Sequence, residues 1–426
     1  MAIRVIDDSK LQNIAVAIQS KDNGGQMTVD QMPTRIAEIP TGEPIVQNPA
    51  LALMDWEGSI LKEYSKEDAL ALTELPAPSS LPKYVDVDHE LLLFQEWNWN
   101  LADIKTFVQN RPDERLLVGA IYTTTDGQDH NYWDNPSLEG DPKAIVMQKR
   151  ATAYVNREEF SNCKKLKYIN IPKNTTYIGQ AAFSDCNSLK FIGIPDGFTS
   201  LIRNSFSGCS SLKNISLPRG LSSFSGAYVF STCYLESIVL PDTLTNWDNY
   251  TFNNCILLKK LIVPDSVTNF GTSLFHGCRN LMYVNTPTNL SEINYRCFRD
   301  CYMLESFALP ETLASVEEEV FRSCFCLTKM AIPESVTIIK SSAFYDCRNL
   351  CDFVLFGKPE LSDVNAFTNT HANLLFYVPR ENLSWFETAT NWSTYYANNK
   401  IVAIEEHISY LESIGINVDD YKEVSA

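Results

Sequence analysis

A phenylalanine followed three residues later by a cysteine recurs nine times between Phe160–Cys163 and Phe344–Cys347, at intervals close to 23 residues. The cysteines are Cys163, Cys186, Cys209, Cys233, Cys255, Cys278, Cys301, Cys324 and Cys347. Repetition this regular leaves one kind of architecture open. Each unit is too short to bury its own apolar edge, so the units must stack and hide it against their neighbours.

The unit reads Phe-x-x-Cys-x-x-Leu-x-x-Ile-x-Leu-Pro, with leucine at Leu166, Leu189, Leu212, Leu235, Leu258, Leu281, Leu304, Leu327 and Leu350. Apolar residues two apart, such as Ile169 with Ile171 and Ile192 with Ile194, mark a short strand with one inward face. Proline after the strand, from Pro172 to Pro333, removes a ladder donor and ends it. The cysteines lack the paired spacings of a disulfide framework and read as free, buried small hydrophobes. Cys297, Cys326 and Cys351 have no histidine close by, so no metal site is expected.

Residues between the inward positions face out from a parallel sheet and offer the natural binding surface. The candidates are Tyr168, Asn170, Phe191, Asn214, Lys260, Tyr283, Asn285 and Lys329, with a second patch in the loop from Trp247 to Tyr250. Exposed aromatics beside amides and hydroxyls suit a glycan or a protein surface. The competing reading is that Tyr168 and Phe191 pack on the preceding domain.

Four segments are expected. Residues 1–45 form a helical head, in which Leu11, Ile14, Ile18, Met32, Ile36 and Ile39 lie on apolar helix faces suited to oligomerisation, as a trimer. Residues 46–148 form a small α+β domain. It holds paired strands turning at Glu57–Gly58, a helix capped by Ser65 and another capped by Asn100. Leu116–Thr124 and Asn131–Trp133 should pair as a hairpin about Asp126–Gly127. Trp97 and Trp99 alternate, placing one in the core and one at the surface. Residues 149–404 are the solenoid, closed by a cap containing Trp385, Phe386 and Trp392, and 405–426 are a helix and tail.

Fifty-two acidic against 35 basic residues give a net charge of −17, which disfavours nucleic acid as a partner. No run approaches the roughly 18 to 20 apolar residues of a membrane span, and the N-terminus is not patterned as a signal peptide. Five histidines are scattered, without a hydrolase, zincin or phosphate-loop motif. Glu317-Glu318-Glu319 reads as a solvated turn. No catalytic residue, cofactor or metal is expected.

The repeat closely resembles the BspA-type leucine-rich repeats of bacterial surface and secreted proteins, over residues 150 to 404. The resemblance implies an α+β leucine-rich-repeat solenoid of about nine to ten coils. A looser one joins Asp8–Ser20, Met27–Pro33 and Gln95–Lys105 to tail-fibre-like proteins of phages of Gram-positive gut bacteria. It implies a virion tail component assembled in the host cytoplasm. Its head would join other tail proteins, and its repeats would bind a host-surface protein or glycan. The alternatives are a bacterial adhesin or effector outside any virion and, less favoured, a polysaccharide hydrolase.

Overall fold

The computed structural model describes residues 49–55, 58, 60–78, 92–112, 114–124, 130–132, 144–146 and 154–421. The head residues Leu11, Ile14, Ile18, Met32, Ile36 and Ile39, and the Asp126–Gly127 turn, lie outside them.

The small domain runs β1 (Leu51–Met54), β2 (Ile60–Tyr64), α1 (Lys66–Ala71), β3 (Leu92–Trp97), α2 (Leu101–Asn110) and β4 (Leu116–Thr124). The sheet order is β2-β1-β4-β3. Strands β1 and β2 are antiparallel about Gly58, whose φ of +81° suits glycine and whose missing side chain leaves room for Phe191. Ser65 and Asn100 cap the helices as expected, accepting from the Asp68 and Asp103 amides at 3.1 and 3.0 Å. Ile104, Phe107 and Val108 bury the inner face of α2.

Strand β4 pairs with β1 over Leu116–Gly119 on one edge and with β3 over Ala120–Thr124 on the other. On the edge that β1 leaves, the Tyr122 amide and carbonyl bond the Asn170 side chain, so the hairpin expected with residues 131–133 does not form. His130–Tyr132 instead pairs antiparallel with Ala144–Val146, itself parallel to Tyr168–Asn170. The parallel part of the repeat sheet therefore starts at Ala144, with His130–Tyr132 as its antiparallel edge, and the hairpin expectation is corrected.

From there the chain winds in coils. A 23-residue turn returns each position about one strand spacing (roughly 4.8 Å) along the axis, so equivalent side chains meet. Phe160, Phe183, Phe206, Phe230, Phe252, Phe275, Phe298, Phe321, Phe344 and Phe367 form one continuous stack, with centroids 5.3 to 5.9 Å apart. Beside it, each repeat-position thiol from Cys186 to Cys347 donates to the carbonyl of the phenylalanine in the preceding coil. Cys278 reaches the Phe252 oxygen at 3.0 Å and Cys347 the Phe321 oxygen at 3.0 Å.

Two residues per coil sit in the left-handed region, one on each side of the phenylalanine. In seven of the nine repeats the position before cysteine holds Asn, Asp or Gly (Asn162, Asp185, Gly208, Asn254, Gly277, Asp300 and Asp346), the types that tolerate positive φ best, while Thr232 and Ser323 take it in the other two. The far end is closed by α3 (Leu383–Thr388) and α4 (Trp392–Ala397), which lay buried Trp392 against Phe367 and Phe376 with buried Phe386 packed on Trp392. This is the expected cap.

Candidate binding site

The outward face of the sheet is covered at both ends. At the N-terminal end the small domain docks on it. Phe191 is buried with Ala52, Met54 and Leu117. The Asn170 amide exchanges bonds with the Tyr122 backbone at 2.9 and 2.7 Å. Asn98, fully buried, donates to the Ile194 carbonyl at 3.1 Å and the Ser216 hydroxyl at 2.8 Å, and accepts from the Gly119 amide. The Trp99 indole donates to the Leu217 carbonyl at 2.8 Å. Arg111 reaches the Leu240 carbonyl and Asp242, while Tyr168 and Val239 pack against the domain's core. Phe191 and Asn170 are thus docking residues. Trp97 and Trp99 are both buried, because the surface expected to expose one of them is the interface.

At the C-terminal end, Ile404–Glu406 and α5 (Ile408–Ser413) fold back over the face. Ile404, Leu411, Ile416 and Val418 bury Val354 and Tyr377. Both Tyr377 and Tyr410 donate to the Asp352 carboxylate, at 3.0 and 3.1 Å. Burial and then Asp352 push the Tyr410 phenol up to about 12. Lys329, half-buried, donates to the Ile414 carbonyl.

Between these coverings a window of sheet stays open. Tyr283 is 45% exposed there, and the Lys260 ammonium lies 5.7 Å from its ring centre. Ser306 and Ala308 are exposed beside them, with Ile262 half-buried. Asn285 clamps the neighbouring coil through the Val263 amide and carbonyl at 2.6 and 2.9 Å. Asn214 is half-buried near the docked domain. A cavity of about 600 Å³ opens where the window meets the C-terminal segment.

The loop patch does not survive as an exposed aromatic site. Trp247 points into the core between Phe270 and Phe252, its indole donating to the Asn269 carbonyl at 2.8 Å. Tyr250, at a left-handed position with φ +60°, stacks on Tyr228 at 4.6 Å.

One feature escaped the sequence reading. Glu319 is not solvated: it is 6% exposed and meets Arg299 and Arg322 at 2.6 Å and Arg296 more closely still. Burial alone would raise its carboxyl, but the Arg296 hydrogen bond and the three guanidinium charges outweigh that and hold it below the usual range. Burial pushes up the thiols of Cys233, Cys255, Cys297, Cys301 and Cys324, and that of Cys278 to about 12. Among the described residues no three His, Cys, Asp or Glu side chains converge on a metal position, and no helix is long and apolar enough to cross a membrane.

Stacked coils, a thiol–phenylalanine spine and one strand per turn make this a leucine-rich repeat protein. Its array is of the BspA type: the family described as BspA type leucine rich repeat region matches six copies over residues 143–259 and 226–351. Among solved structures, one similar chain is a leucine-rich repeat protein from Bacteroides ovatus ATCC 8483. It has 26% identity over 59% of this chain and 70% of that one, at a TM-score of 0.49. Another is the T. pallidum leucine-rich repeat protein, 31% identical over 43% and 90%, at 0.38. A leucine rich cell surface protein from Faecalibacterium prausnitzii A2-165 is 20% identical over 61% and 90%, at 0.37. No curated protein matches the chain.

Proposed function

We propose that this chain is a bacterial recognition protein of the adhesin or effector kind, which holds a partner on the open window of its sheet and does not transform it chemically. The observation that carries this is the window itself. The face is closed by a docked domain at one end and a folded-back segment at the other, and Lys260, Tyr283, Ser306 and Ala308 remain accessible between them. A rigid ring with a cation above it gives contact area at low entropic cost. Repeat scaffolds present such faces for binding.

A second reading, a phage tail adhesin, draws on the resemblance of residues 1 to 135 to tail-fibre-like proteins. The family match lies on the repeats, at residues 143–351, and favours the bacterial reading. Residues Gln95–Lys105, which share the tail-fibre likeness, have a structural task as the dock that seats Asn98 and Trp99 on the sheet. Gold labelling of particles against cell envelopes separates the two.

The test of recognition is binding of labelled full-length protein to intact cells, before and after stripping surface glycans or proteins. Lys260→Glu with Tyr283→Ala should lower it by about tenfold or more, since central aromatics carry much of an interface. Unchanged binding by the folded double variant would remove the window from the account.

A further inference from the structure

The cavity beside the window has a chemistry specific enough to name its occupant. At about 600 Å³ it lies within the ~300–1,000 Å³ of typical ligand pockets. Leu309, Met330, Phe356, Ile416 and Val418 contribute an apolar lining, and Glu311, Glu334 and Asp420 line it as exposed carboxylates. These three acids come from separate stretches of chain, two coils and the folded-back segment. None of them forms an ion pair among the described residues. The lining lysine, Lys329, already donates to the Ile414 carbonyl. Tyr421, also on the wall, registers the surplus: burial, then Glu334, Asp420, Glu381 and Glu405, push its phenol up.

We propose that this cavity receives a basic peptide segment of a protein partner, a lysine or arginine meeting Glu311, Glu334 and Asp420 while an adjoining aliphatic side chain enters the apolar lining. This rests on the recognition reading above and narrows it to a partner class. The long stem of a lysine or arginine covers apolar surface while its head reaches outward, which matches an apolar hollow ringed by acids. An acidic glycan would be repelled by the three carboxylates, and a neutral one would leave their charge uncompensated. The chain's net charge of −17 also steers basic partners toward it.

A randomised peptide display library, panned on the immobilised full chain, tests the assignment. Two comparators are used: Glu311→Gln/Glu334→Gln/Asp420→Asn, and the window variant Lys260→Glu/Tyr283→Ala. Their folding is checked by circular dichroism and melting. Selected sequences should carry Lys or Arg next to Leu, Ile, Val, Phe or Met. A synthetic peptide of that consensus should bind the carboxamide variant about tenfold or more weakly, a difference of about 1.4 kcal/mol, and should bind the window variant as it binds the native chain. Its affinity should fall as salt shortens the Debye length. The proposal is overturned by absent enrichment, by selected peptides without basic residues, or by equal binding to the carboxamide variant. It is also overturned by a concentration-dependent dimer that the carboxamide variant abolishes, which would give the cavity to a second copy. Cell binding lost only in the window variant would sink the cavity and leave recognition standing.

Discussion

The thiol at each repeat position does two things at once. It fills a small apolar site, and it donates a weak hydrogen bond to the coil before it, as Cys255 does to the Phe230 carbonyl at 3.2 Å. Burial that raises Cys278 to about 12 leaves a thiolate fraction near 10⁻⁴ at pH 8. Only Cys163 and Cys351 of the twelve cysteines are partly exposed. Alkylation of the native protein should therefore modify those two rapidly and the other ten only on unfolding, as read by mass spectrometry. Rapid native modification of Cys278 would contradict the buried spine. Glu319 makes a second residue-scale case. Glu319→Gln keeps the shape but strips the counter-charge from Arg296, Arg299 and Arg322, and should cost about 2 to 4 kcal/mol at pH 7 in urea unfolding. The native carboxyl lies below its unfolded value, so its contribution is present above the ordinary carboxylate pKa and fades as pH falls through the folded one. The gap between native and variant stability should accordingly close on acidification below about pH 4.

Among elements, the phenylalanine stack behaves as a row of nearest-neighbour contacts. Phe298 is fully buried with rings on both sides, Phe275 at 5.3 Å and Phe321 at 5.5 Å. Phe160 begins the row with one stacked partner, Phe183. Phe298→Ala should cost about 3 to 5 kcal/mol and Phe160→Ala clearly less, in equilibrium denaturation. Equal losses would mean that stacking along the axis contributes little. The coil was legible in the sequence because its period writes the same contact again and again. Other columns held the same information unread. Leu201, Phe224, Trp247, Phe270, Ile293 and Val316 occupy equivalent inward positions in successive coils, which would have put Trp247 in the core. Opposite charges one repeat apart, Arg296 with Glu319 and Glu317 with Lys340, already spelled out the ion pairs. The docked domain left no such trace. Asn170 and Asn285 hold the same outward position in their coils, yet one bonds Tyr122 of the small domain and the other bonds Val263 of the adjacent coil. Local pattern cannot tell these apart, since the difference lies in which distant body covers the strand. Asn98→Ala tests that dock: it should raise hydrogen exchange in residues 50–124 and leave the coils around Cys347 unchanged.

At the scale of the whole molecule, the length of open face is set by what covers its ends. The C-terminal segment is held largely by apolar contact, with Leu411 fully buried among Val354, Tyr377, Ile404 and Ile416. That cluster lies outside the coil interior, whose phenylalanines and cysteines form a separate core. Leu411→Asp places a charge inside an apolar cluster, at a cost large enough to release the segment locally. Such a variant should gain protease cleavage within residues 404–421 and bind a hydrophobic dye on the uncovered Val354 and Tyr377. It should also lose the cavity that Ile416, Val418 and Tyr421 help to build. The main denaturation transition should stay in place, because the cap over Phe367 and Phe376 belongs to Trp392, backed by Phe386, instead. A fall in that transition alongside the cleavage would show that segment and solenoid unfold as one cooperative unit, and that the window cannot be lengthened without losing the scaffold.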